Sequence, residues 1–324
     1  MSKEYNVDRE NVVRAPRIAW RRTQVSPEIL HTLTKSDILG WLQTGGHLAA
    51  FLTSGSLCWI VSNEGSWLYL APLLLAHGVI ASFLTNGIHE LSHGTVFQTA
   101  RLNRVFLHLF CWIRWINPYA FWASHSRHHR FTLHPPFDRE VVLPTNFSLG
   151  FFLRRSLIDP LTMLDRFRLH SEYSLKIFSS DWDKEILSES AVAKRVAWWS
   201  RISIANHFGI FVISAVSGQW ILPVLVSLTP AYAGGLFYLC NETQHAGMES
   251  ETSDFRKSSR TIRLPPILER LYWRMNFHCE HHMFPSVPCY RLPKLHHQIE
   301  GDLPPTRGLI AAWREIFTKQ SKAL

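Results

Sequence analysis

"HELSHGTVF", residues 89–97, decides the architecture, because it carries two incompatible readings. As H-E-x-x-H it sets His89 and His93 around a single Zn²⁺, with Glu90 as the base that activates water. As H-x-x-x-H it is one of several histidine clusters that together hold more than one metal. The rest of the chain chooses between them.

Of 18 histidines, nine fall in four tight clusters: "HELSH" (His89, His93), "HSRHH" (His125, His128, His129), "NETQH" (His245) and "HCEHH" (His278, His281, His282). Positions i, i+3 and i+4 of a helix share a face, so each H-x-x-H-H can aim three imidazoles at one point. At this histidine frequency about 0.05 such matches are expected by chance; the chain has two. A catalytic zinc takes three protein ligands and keeps one position open, so nine clustered histidines are too many for it. Two metals with four or five nitrogen ligands each, completed by water, account for them. Imidazole suits iron, copper, zinc or nickel, so ligand type does not name the metal. Asn241, four residues before His245, is expected on the same helical face, where it could hold a metal-bound water. A helix-interface hydrogen bond is its competing reading. Glu90 and Glu280, beside ligands, read as carboxylates that orient imidazoles.

Working outward, charged residues make up 18% of the 324 and aromatics 13%, including 13 Trp, which points to membrane association. Mean hydropathy of −0.03 is too low for a chain that is membrane throughout. A membrane core under a polar cap fits. The net charge of +9 suits nucleic acid or a basic cytosolic face equally. The chain has no arginine-rich reading helix or RNA-binding signature, so nucleic acid is not an expected partner. Five widely spaced cysteines without C-x-x-C imply reduced thiols. The first residues lack an apolar core, so no cleaved signal peptide is expected there.

Four stretches could cross a bilayer: Trp41–Val61, Trp67–Gly87, Trp198–Val216 and Trp220–Cys240. Four buried helices of a soluble protein are the alternative. Charge placement favours the membrane, because no Lys or Arg occurs between Lys35 and Arg101 or between Arg201 and Arg256. Each cation-free stretch is shaped like a helical hairpin. The positive-inside rule puts both hairpin turns away from the cytosol, and both termini and every histidine cluster on the cytosolic side. Residues Arg101–Trp122 are apolar but carry Arg101, Arg104 and Arg114, which predicts an in-plane interfacial helix. From about residue 145 to 195 the pattern is one of cytosolic helices and loops, with Phe151 and Phe152 beside Arg154 and Arg155 at a probable-interface composition of aromatic and basic residues. The expected fold is therefore an all-α integral membrane protein. Four transmembrane helices form two hairpins, with in-plane interfacial helices and a cytosolic helical cap carrying a di-metal site. Residues 1–38 form a polar basic tail, 39–309 the catalytic domain and 310–324 a C-terminal tail.

Clusters H-x3-H, H-x2-H-H and H-x2-H-H, in that order around two hairpins, resemble the membrane fatty acid desaturase superfamily of non-haem di-iron enzymes. The resemblance runs from about Leu39 to Leu309. Its most specific part is "NFHCEHHMFPSVPCYRLPKLH", Asn276–His296. With "TQHAG" before it, this is similar to bacterial and fungal desaturase-like oxygenases of the rhizopine-catabolism type. The resemblance implies that His89, His93, His125, His128, His129, His245, His278, His281 and His282 bind two iron ions, with Asn241 on a metal-bound water. It implies O₂ as co-substrate and electrons from NAD(P)H through a separate cytochrome b5 or ferredoxin docking on the cytosolic face. The first cluster has three intervening residues where acyl-CoA desaturases have four; the shorter spacing also occurs in acyl-lipid desaturases, hydroxylases and carotenoid ketolases. The third begins with His278 where front-end desaturases have Gln. His134 is followed by Pro135 and Pro136, not by the haem motif His-Pro-Gly-Gly of a fused cytochrome b5.

The implied activity is that of a membrane-bound fatty acid or acyl-lipid desaturase, with a hydroxylase of a lipid or specialised natural product as the alternative. The implied location is the endoplasmic reticulum of a eukaryote or the cytoplasmic membrane of a bacterium. A zinc protease built on His89, Glu90 and His93 would leave seven clustered histidines idle. A metal transporter would place its ligands near the bilayer midplane, whereas these lie at helix ends.

Overall fold

Two of the three longest helices lie in the first cation-free stretch, and the third enters the second from its basic side. In the computed structural model, which describes residues 15–145 and 147–323, they are Asp37–Asn63, Trp67–Ser92 and Ser190–Ser217. The first starts where the Ser36 side chain accepts from the Leu39 N–H, with Asp37 in the first turn favoured by the helix dipole. A turn with Gly65 at φ +71° reverses the chain, and the third helix stops at Gly218 in the same left-handed region. Trp67 stacks on Trp220 at 5.5 Å and Trp59 donates to Gln219 Oε1 at 2.8 Å, so the two reversals lie side by side.

These helices bury polar residues and expose apolar ones. His47, His77 and His207 are buried, each held by partners such as the Ile80, Leu225 and Trp112 carbonyls. Leu68, Phe208 and Val216 are more than two-thirds exposed. Among the described residues, one helix, Trp67–Ser92, is long and apolar enough throughout to cross a membrane.

The expected fourth crossing is not one helix. Residues 220–242 form helix Ile221–Leu225, a 3₁₀ turn at Thr229–Ala231 and helix Gly235–Glu242. Pro223 and Pro230 lack an N–H to donate, and Ala233 at φ +54° with Gly234 and Gly235 breaks what remains. The expected in-plane helix is likewise two, Ala100–Ile113 and Pro118–Phe131. The break sits at Trp115 (φ +51°) and at Asn117, whose Oδ1 caps the second helix through the Tyr119 and Ala120 N–H groups.

Neither terminal stretch is a free tail where it is described. Trp20 stacks on Phe255 at 4.1 Å, and Leu309–Ala323 is a helix that buries Ala312 and Ile316. Residues 1–14 of the expected tail lie outside the described residues. The one sheet among the described residues is a parallel pair, Ile262–Arg263 with Arg307–Gly308. The core centres on Phe83, Phe110, Tyr272 and Trp273, between the first hairpin and the last histidine cluster. A Cβ at Gly87 would come within 2.8 Å of the Phe110 and Trp273 rings, so only glycine lets the second helix approach this closely.

Candidate metal centre

Three helices and one turn supply the nine histidines. His89 and His93 end the helix Trp67–Ser92, whereas His125, His128 and His129 occupy the last two turns of Pro118–Phe131. His278, His281 and His282 fill the short buried helix His278–Met283, and His245 lies in the turn after Gly235–Glu242. They separate into two groups, each with its ligand nitrogens within 4.8 Å of one another. One is His89, His93, His125, His129 and His281; the other is His128, His245, His278 and His282. Each H-x-x-H-H cluster is thus divided between the groups, because i and i+4 point one way and i+3 lies displaced around the helix.

Within the groups the rings meet through Nε2. The separations are 3.1 Å for His93–His125 and for His125–His129, and 3.2 Å for His129–His281. In the second group they are 2.9 Å for His245–His278 and 3.0 Å for His278–His282. Nitrogens bonded at about 2.1 Å to one ion lie about 3 Å apart when adjacent, so the spacing fits metal ligation.

The outer nitrogens show which way the lone pairs face. A backbone carbonyl can only accept, so the 2.7 Å contact from His245 to the Ser258 carbonyl puts the proton on Nδ1 and the lone pair on Nε2. Asp138, held ionised below the usual carboxylate range, accepts in the same way from His128 at 2.9 Å, while Glu140 and Glu90 stand at the Nδ1 atoms of His125 and His89 at 2.8 and 3.1 Å. The Thr132 hydroxyl donates to the His128 carbonyl, which leaves it to accept from His282 Nδ1 at 3.2 Å. The buried Nε2 of His89 has no hydrogen-bond partner. Buried lone pairs converging without protons are satisfied by a cation.

Electrostatics agrees. Desolvation, together with neighbouring imidazoles, holds His125, His129, His278, His281 and His282 well below the usual histidine range, and burial puts His245 at about 3. These rings are neutral at physiological pH, the form that binds metal. His128 is the exception. Burial opposes its charge, but the bond to Asp138 outweighs that and raises it.

Asp138 and Glu140 were not among the residues expected at the site, although "FDRE" follows the second cluster after seven intervening residues. Asp138 also accepts the Leu133 and Glu140 N–H groups at 2.9 Å each, which fixes the loop and the carboxylate together. Glu90 behaves as expected. Its Oε1 lies 3.1 Å from His89 Nδ1 and, without a hydrogen bond, 3.4 Å from His281 Nδ1, so it stands between two rings of one group. Glu280 does not, because its carboxylate is taken by Thr261 and His296, outside the nine. Asn241 lies in the last turn of helix Gly235–Glu242, four residues before His245, and lines a cavity with Phe237, Tyr238 and Glu242.

The zinc-protease reading fails on this geometry, since Glu90 faces imidazoles and seven more histidines close round the same space. The profile of the fatty acid desaturase family matches residues 65–312, most of the chain.

The chain belongs to the fatty acid desaturase family.

Among similar proteins are three sphingolipid delta(4)-desaturase/C4-monooxygenases. This desaturase is 26% identical to that of Mus musculus over 276 residues, 82% of this chain and 76% of that protein. It is 29% identical to that of Rattus norvegicus over 270 residues, 82% and 75%. With that of Homo sapiens the identity is 27% over 241 residues, 73% and 67%. The desaturase is an oxidoreductase, and its two histidine groups are compatible with a di-metal site.

Proposed function

We propose that this desaturase oxidises the alkyl chain of a membrane lipid with two iron ions and O₂. The observation that carries the reading is the partition of nine histidines, six of them buried, into groups of five and four with Nε2 turned inward. His89, His93, His125, His129 and His281 would hold one iron, and His128, His245, His278 and His282 the other. Bound iron supplies an oxidant for an unactivated C–H bond, chemistry beyond any side-chain acid or base.

The chain's own residues do the rest. Glu90, Asp138, Glu140, Thr132 and the Ser258 carbonyl hold the rings of His89, His128, His125, His282 and His245, and so keep five lone pairs in place through repeated turnovers. Burial of His125, His128, His278, His281 and His282 keeps water from the reacting carbon. The similar proteins carry both "desaturase" and "monooxygenase" in their names, which supports a lipid substrate and leaves removal of a second hydrogen and hydroxylation as the two outcomes of one site. Electrons from NAD(P)H would arrive through a separate cytochrome b5 or ferredoxin on the cytosolic face.

We further propose that the paired hairpins sit in the bilayer, with the fourth crossing made by broken helices instead of a continuous one. Polar burial with apolar exposure supports this, as does the contact between Trp67 and Trp220. The rhizopine-catabolism branch is part of the proposal through "TQHAG" and the Asn276–His296 segment alone.

Purified protein tests the reading. Two irons per chain, with an alkene or alcohol formed only when O₂ and a reductant are present, are expected. One zinc per chain and no oxidation product would overturn it.

A further inference from the structure

We propose that Arg260 is a positioning residue for the second histidine group, because it builds the turn that aims His245. Through Glu315 it also makes the last helix, Leu309–Ala323, the clamp on that turn. This role rests on the two-metal reading above and extends it to residues outside the nine histidines.

His245 lies in the turn of residues 243–247, past the end of helix Gly235–Glu242. Its Nε2 nevertheless stands 2.9 Å from that of His278. Four carbonyls of this turn are answered from elsewhere in the chain. The Arg260 N–H donates to Gln244 at 2.8 Å, and Arg260 Nη1 donates to Thr243 at 2.6 Å and to Ala246 at 2.8 Å. Lys319 Nζ donates to the fourth, Gly247, at 3.0 Å. The Ser258 carbonyl, two residues before Arg260, accepts from the His245 ring. Residues 258–260 therefore grip the imidazole and the backbone on both sides of it. Carbonyls at a helix C-terminus form the negative end of its dipole, which favours a cation there.

Arg260 is only 8% exposed, and a cation so placed needs an opposite charge. Glu315 provides it at 3.4 Å from Arg260 Nη2, and the same carboxylate oxygen lies 2.9 Å from Lys319 Nζ. Both cations that hold the turn thus converge on one oxygen of the last helix. That helix is docked by buried Ala312 and Ile316, and Trp313 donates to the Leu239 carbonyl at 3.0 Å. It fixes the helix before the turn as well as the turn itself. The planar fork of arginine sends N–H groups to both carbonyls and to the carboxylate at once, whereas a lysine ammonium is a single point donor. Without the fork the His245 ring loses its fixed direction. The first histidine group keeps its own supports, Glu90 and Glu140.

Anaerobic Fe(II) titration of the purified full-length protein tests this, with the two positions read separately. His93→Ala leaves the second group to be titrated, and His282→Ala leaves the first. Arg260→Lys added to His93→Ala should weaken Fe(II) binding about 10–100-fold. Added to His282→Ala, it should leave binding unchanged. Glu315→Gln keeps an acceptor oxygen, and should give a smaller loss at the second position only. Thermal stability of the metal-free variants separates a displaced ligand from a lost fold. Equal losses at both positions, or undiminished binding at the second in both the Arg260 and the Glu315 variants, would overturn the proposal. The two readings fail separately. Two irons per chain with an indifferent Arg260 removes this role alone. His93→Ala protein that takes up no iron in its second group removes the two-metal reading, and this role with it.

Discussion

Asp138 receives the Nδ1 proton of His128 at 2.9 Å while its second oxygen accepts the Glu140 N–H, and Glu140 in turn holds His125. Two carboxylates on one loop thus orient one ligand in each histidine group. Asp138→Ala should release His128 and, through the loop, slacken His125. Metal affinity should fall about 10–100-fold, the usual effect of removing a group that orients a liganding imidazole. Glu140→Gln, which keeps an acceptor oxygen, should lose much less. Metal titration of both proteins checks the order, and equal losses would contradict the loop coupling.

Glu90 separates the two readings of "HELSH". As the base of a zinc protease, its loss would abolish activity with the metal retained. As the carboxylate that stands between His89 and His281, Glu90→Gln should lower iron content and turnover together, each about 10–100-fold. Full iron content with no product would refute the positioning role.

His245 and Asn241 should part company. His245→Ala removes one of four nitrogens from the second group and should cost one iron and all turnover. Asn241→Ala should keep both irons, because its side chain lines the neighbouring cavity. Retained iron with a lowered rate would support the water-holding role expected from the sequence, and unchanged turnover would remove it.

Acid should destabilise the metal-free protein before neutral pH is far behind. Burial puts His245 at about 3 in the folded chain against an unfolded value near 6.5, so the unfolded state binds the extra proton. Its contribution is complete above pH 6.5 and is lost as pH falls from there towards 3. Between pH 7.5 and 5.5 each such histidine costs roughly 1.4 kcal/mol. Thermal melts of metal-free protein at these two pH values should show a large drop, and addition of Fe(II) should reduce it. A melting temperature that is flat across this range would mean that the rings are solvated, not buried.

Topology has a direct test. A glycosylation acceptor inserted at Gly65 should be modified in microsomes, because the turn faces away from the cytosol under the positive-inside rule. One inserted near Ser179 should stay unmodified. The opposite pattern would invert the orientation and remove the cytosolic face from the donor.

The nine histidines were legible because helical spacing carries its own geometry. H-x-x-H-H on Pro118–Phe131 and on His278–Met283 needs no tertiary information to put three rings on one side. What decided the partition into five and four was the docking of those helices against His89, His93 and His245, which no local pattern records. Asp138 and Glu140 escaped because a loop, not a helix face, brings them back to their rings. The break in the expected fourth crossing was hidden for another reason: hydropathy counts Pro223, Pro230, Gly234 and Gly235 as tolerable, while the prolines have no N–H to give a helix and the glycines free the backbone to turn.

Both histidine groups draw on the two ends of the chain, His89 with His281 and His128 with His282. Neither position is complete until residues 281 and 282 have left the ribosome. On the proposed topology both hairpins have by then been handed to the membrane. Metal capture is therefore the closing event of biogenesis, and a chain truncated before His278 should insert fully yet never acquire its metals.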